Sequence, residues 1–180
     1  MKSLHAFAGA YLRWHAVGGL RMDYELGDSG GEPVAVLRFR SACGSLAFAE
    51  SAEGRWSFKR VGFFKPRITV RLPGWEEDVA VFQPSMGLGG GTLTTAEGNQ
   101  FQFRMENGER ELHIRDTHGN PFLVVRTGSP LQSGADLEIL ERAVELPELP
   151  WLACFGWYLV LIVQMDSAAV TAAVLAATMA

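Results

Sequence analysis

The densest run of like charge is RWSFKRVGFFKPRITVR, from Arg55 to Arg71, which holds Arg55, Lys59, Arg60, Lys65, Arg67 and Arg71 and no acid. Alternate residues of a strand share a face, because successive side chains point to opposite sides. If Trp56, Phe58, Ile68 and Val70 turn inward, Lys59, Arg67 and Arg71 face outward on adjacent strands, with Lys65 at the turn between them. Phe63 and Phe64 at that turn are placed to press into a lipid headgroup region. Each basic group beside an anionic membrane contributes about 1 kcal/mol. The chemistry on offer is ionic recognition of an anionic lipid or of a protein partner. The binding set expected is Arg55, Lys59, Lys65, Arg67, Arg71, Phe63 and Phe64. The plain alternative is a solvated basic face balanced by acids elsewhere.

Other chemistry-bearing groups lack the spacing that their chemistry needs. GLGGGT, Gly87 to Thr92, has glycines for a phosphate loop but not the Gly-Lys-Ser/Thr ending. The next residues, LTTAEG, have the pattern of a strand, so no helix N-terminus waits for a phosphate. A glycine bulge or barrel corner is the simpler reading. His113 and His118 flank Asp116 across a predicted turn, whereas a zinc site needs three or four convergent ligands; exposed hairpin residues are expected. Glu76, Glu77 and Asp78 are adjacent in sequence, not set on opposing walls as in glycosidases. No nucleophile elbow is present. We therefore expect no catalytic residue, no metal and no cofactor, and a chain that is not an enzyme.

Bulk composition narrows the classes further. The chain has 180 residues, 48% hydrophobic and 20% charged, which describes an ordered domain with a sizeable core. A net charge of -4 argues against a dedicated nucleic-acid binder. Cys43 and Cys154 are its two cysteines; they form no disulfide framework, Cys154 sits in an apolar run as a buried hydrophobe would, and a reducing, cytoplasmic setting fits, with membrane association open. MKSLHAFAGAYLRWH loosely mimics a signal peptide, but its apolar run is short and broken by His5.

The elements that must position these groups are strands. QFQFRME alternates Phe101, Phe103 and Met105 with polar residues. Asn107-Gly108 then marks a hairpin, and RELHIRD and PFLVVRT continue a meander. PRITVRL, RWSFKRV, EPVAVLRFR, SLAFAE, DVAVFQ, GTLTTAE, DLEILERAVE and LRMDYEL obey the same grammar. That makes about eleven strand candidates at the spacing of sandwiches and barrels. No linker divides the chain, so residues 1–180 are read as one domain, with strands over about 10–145.

Helical pattern begins only after Pro147 and Pro150, with a central helix over about 148–165 and an alanine-rich tail to 180. Trp151 to Val163 is apolar all round, so it must be surrounded by lipid or by protein. This stretch measures ~20 Å against the ~30 Å of a bilayer core. Extending it to 180 supplies length but takes in Gln164 and Asp166. An eight-stranded barrel has no room for a helix, but a closed barrel of about eleven strands does. The expected fold is mainly β: a closed antiparallel barrel of about 11–12 strands around a buried hydrophobic C-terminal helix. The alternative left open is a tail-anchored protein with residues 151–180 in the bilayer.

Many short strands before the hydrophobic segment ELPELPWLACFGWYLVLIV, together with GRWSFKRVGFF and ELHIRDTHGNPFLVV, resemble the tubby C-terminal-like superfamily. That superfamily includes phospholipid scramblases and LURP-one-related proteins. The resemblance spans nearly the whole chain and implies a barrel of roughly twelve strands around a central helix. Tubby proteins bind phosphoinositides on the barrel surface, though their ligand residues do not map onto this chain one by one. The cysteine-rich, proline-rich and calcium-site segments of scramblases are absent, which argues against a scramblase activity. The function expected is that of a non-enzymatic barrel binding an anionic lipid or a protein partner through its basic hairpin.

Overall fold

A computed structural model describes residues 1–18, 22–28, 31–42, 44–62, 65–85, 89–108, 110–128 and 134–178. The strands are β1 (Tyr11–Ala16), β2 (Asp23–Gly27), β3 (Pro33–Phe39), β4 (Ala47–Ser51), β5 (Gly54–Val61), β6 (Arg67–Arg71), β7 (Ala80–Pro84), β8 (Gly90–Thr95), β9 (Gln100–Glu106), β10 (Glu111–Arg115), β11 (Pro121–Thr127) and β12 (Gly134–Ile139). Each pairs antiparallel with its neighbours in sequence, and β1 pairs with β12, from Tyr11↔Glu138 to His15↔Gly134, so the sheet closes on itself. Closure leaves no strand edge unpaired.

Alternation fixes the inner surface. Leu12 and Trp14, Trp56 and Phe58, Ile68 and Val70, and Phe101 and Phe103 are all buried. The hairpin expected at Asn107-Gly108 forms: Glu106 pairs with Glu111, and between them Asn107 and Gly108 take φ of 52° and 67°, left-handed values that these two residue types tolerate. The run YLRWHA, not singled out as a strand by its pattern, is β1; only Leu12 and Trp14 of it turn inward, too few to stand out. One expectation needs correction. The last predicted strand ends at Ile139, and Glu141–Glu145 is a 3-10 turn that lays Ala143 into the core as the chain bends toward the barrel axis.

The helix α1 runs from Leu149 to Thr178. Its first part, Leu149 to Val163, is buried throughout, so the apolar segment is the filling of the barrel. Phe155 meets Phe58, Phe82 and Phe103 at 5.4–5.7 Å between ring centres. Tyr158 stacks on Phe39 at 5.6 Å, and Trp157 lies 6.3 Å from Trp14. Such pairs contribute about 0.5–1.5 kcal/mol each beyond the area they bury. Toward β10 and β11 the helix presents Gly156. A Cβ there would lie 3.1 Å from Ile114 Cδ1 and 3.4 Å from Val125 Cγ2. Glycine costs a helix roughly 1 kcal/mol; here it lets the helix lean against that wall while the aromatics fill the opposite side.

Helix direction defines two ends of the barrel. At the entry end, Leu4 is fully buried and its N–H donates to Glu53 Oε1 at 2.8 Å, which ties the N-terminal turn across the opening. At the exit end, the Tyr158 hydroxyl donates to the Ser45 carbonyl at 2.7 Å, and the helix leaves the barrel after Val163.

Candidate functional site

The β5–β6 hairpin has the predicted facing. Ser57↔Arg71, Lys59↔Thr69 and Val61↔Arg67 are in register, and Trp56, Phe58, Ile68 and Val70 point into the core. Lys59, Arg67 and Arg71 therefore share the outer face. The predicted cations nonetheless fall into two groups. Arg55 and Arg71 lie at the entry end of their strands. Arg55 is bound to Glu50 of β4 at 2.9 Å, and Arg71 to Asp78 of the β6–β7 connection at 2.5 Å. The hairpin contains no acid of its own, but its neighbours bring two. Arg55 and Arg71 are thus neutralised in place. Lys59, Lys65 and Arg67 are exposed at the exit half and have no acidic partner among the described residues. Phe63 and Phe64 lie outside the described residues.

Arg60 was in the basic run but not in the expected binding set. It shares the inward parity of Trp56 and Phe58, and at the barrel mouth it reaches the emerging helix. Its Nη1 donates to both carboxylate oxygens of Asp166, at 2.9 and 2.7 Å. The sequence signal was there to read: Asp166 is the only charged residue after Glu148. Arg60, Asp166, Lys65, Pro66, Gln83, Pro84 and Ser85 line a recess of about 350 Å³ where the helix leaves the barrel.

The strand-to-strand connections at the two ends differ in charge. At the entry end, their described residues include Glu32, Glu53, Glu76, Glu77, Glu97 and Asp116, and no Lys or Arg. At the exit end, they include Arg40, Lys65 and Arg110, all exposed, and no acid. Arg21 and Glu109 lie outside the described residues. A chain with a net negative charge thus carries a basic face where its helix emerges.

The remaining candidates serve the fold. In the glycine run, β8 continues its ladder with β7 and β9 without a register shift, so no bulge forms among the described residues. Gly91 is needed because a Cβ would lie 2.6 Å from Phe82 Cζ. Gly87 and Leu88 lie outside the described residues. His118 is exposed, as expected, but His113 is not: its side chain is 15% exposed and packs between Glu106 and Glu111, at 3.4 and 3.2 Å. Asp116 accepts from the Asn120 amide side chain, from the backbone N–H groups of His118 and Asn120, and from Arg142. The Asn120 side-chain bond leads these in holding its carboxyl well below the usual carboxylate range. It is a turn-forming acid. Arg142 also lies 4.4 Å over the Phe122 ring. Cys154 is fully buried, which pushes its thiol far up and leaves no thiolate nucleophile. Cys43 lies outside the described residues.

Compared with family models, with curated proteins and with solved structures, the chain matches none.

Proposed function

We propose that this chain is a non-catalytic barrel that docks on an anionic phospholipid surface through Lys59, Lys65 and Arg67. The observation that carries the reading is the grouping of these exposed cations, without acidic partners among the described residues, beside the point where α1 emerges. Lys59 and Arg67 are diagonal neighbours on adjacent strands, a spacing of about 7–8 Å that two phosphates of neighbouring lipids can satisfy. Attraction of this kind is ionic and weakens with salt. The likeness to tubby-type barrels belongs to the same proposal. A bilayer span over residues 151–180 would require Trp151 to Val163 to leave the core, exposing the aromatic lining of the barrel to water, so surface docking is the simpler reading.

The test is co-sedimentation with phosphatidylcholine–phosphatidylserine vesicles. The parent should bind at low salt, and Lys59→Glu, Lys65→Glu and Arg67→Glu together should abolish binding without changing the thermal melt. Equal binding by parent and triple variant, or none by the parent, would remove the proposal.

A further inference from the structure

We propose that the part of α1 outside the barrel, from Ser167 to Thr178, inserts into one leaflet of the anionic bilayer while Leu149 to Val163 stays in the core. This rests on the surface-docking reading and adds which segment penetrates and how far. The first observation is exposure. Val170, Val174 and Leu175 are 64%, 57% and 58% exposed, on a stretch with no charged residue. A helix apolar on all sides needs nonpolar surroundings, and no strand of the barrel supplies them here.

Length selects a single leaflet. At 1.5 Å per residue the segment reaches ~18 Å, too short for a hydrocarbon core of ~30 Å but enough for one half of it. The two threonine hydroxyls along it are already bonded. The Thr171 hydroxyl donates to the Ser167 carbonyl at 2.9 Å, and the Thr178 hydroxyl to the carbonyls of Val174 and Leu175. Satisfied polar groups are what entry into hydrocarbon demands. The one carboxylate of α1, Asp166, precedes the segment and is paired with Arg60.

Charge then selects anionic lipid as the occupant. The segment emerges from the end whose connections carry Arg40, Lys65 and Arg110, and the acidic connections lie at the other end. An anionic surface therefore attracts the face from which the helix projects and repels the opposite one.

The experiment uses the full chain. Leu175→Trp introduces an indole whose emission, measured as the difference from the parent, should shift to the blue on phosphatidylcholine–phosphatidylserine vesicles and be quenched by brominated acyl chains. A Val174→Asp/Leu175→Asp double variant alters only exposed residues and should stay folded, yet its partition into the vesicles should fall by about tenfold or more, since aspartate resists insertion. If the double variant binds as the parent does, and the added indole is not quenched, insertion is wrong and surface docking stands. If the parent does not bind at all, both proposals fall. If the double variant instead halves the sedimenting mass in the absence of vesicles, the segment pairs with a second copy of this chain and leaflet insertion is overturned.

Discussion

Arg60 and Asp166 lie 106 positions apart and meet at the exit mouth of the barrel, one guanidinium nitrogen donating to both carboxylate oxygens. The contact joins an inward-facing strand residue to the helix just where the helix ceases to be buried. It fixes the boundary between the part of α1 that fills the barrel and the part that projects.

Both side chains are partly exposed, at 34% and 48%, so solvent screens the pair. Replacing Asp166 by Ala should cost less than about 1 kcal/mol in urea unfolding, as exposed ion pairs do. Its larger effect should be local. Amide exchange at residues 164–168 should quicken, while exchange at residues 152–162 stays at the global rate. Equal acceleration along the whole helix would show that the pair supports the buried part as well.

The two halves of α1 should respond oppositely to the same substitution. Leu159 is fully buried, so Leu159→Asp leaves an uncompensated carboxylate in the barrel and should prevent folding, a loss of several kcal/mol or about the whole stability of a domain. Val174→Asp, on the exposed half, should stay within about 0.5 kcal/mol of the parent in water. Circular dichroism and thermal melts of the two variants separate a helix that is core for half its length from one that is peripheral throughout.

Acid should expose the role of Asp116. Its carboxyl is held below the ordinary range in the folded chain, first by the Asn120 side chain and then by the Asn120 backbone, Arg142 and His118. A depressed folded value means that the stabilisation is complete above the unfolded value of about 3.9 and is lost as pH falls from there through the folded value. Asp116→Asn should therefore melt below the parent at neutral pH, and the gap should close as pH drops below that of an unfolded aspartate. A gap that stayed constant with pH would mean that the charge contributes nothing and only the turn geometry matters.

Sequence periodicity alone determined most of the strands, the inward face of each, the hairpin at Asn107-Gly108 and the need of Trp151 to Val163 for nonpolar surroundings. These come from local rules: a period of two, a turn that needs positive φ, and a helix with no polar face. That the barrel and not lipid supplies those surroundings was decided by the tertiary structure. Closure of β1 on β12 was a tertiary outcome, because the pairing of Tyr11 with Glu138 has no local signature. So was the division of the basic hairpin. Counting charges along Arg55 to Arg71 shows no acid, yet Glu50 and Asp78 arrive through folding and neutralise Arg55 and Arg71. The same holds for the sorting of acids and bases to opposite ends, since alternate connections of a meander lie at the same end of the barrel whatever their distance in sequence. Composition can say how many charges a chain has; only the paired strands, by fixing which turns share an end, decide where the field they produce is concentrated.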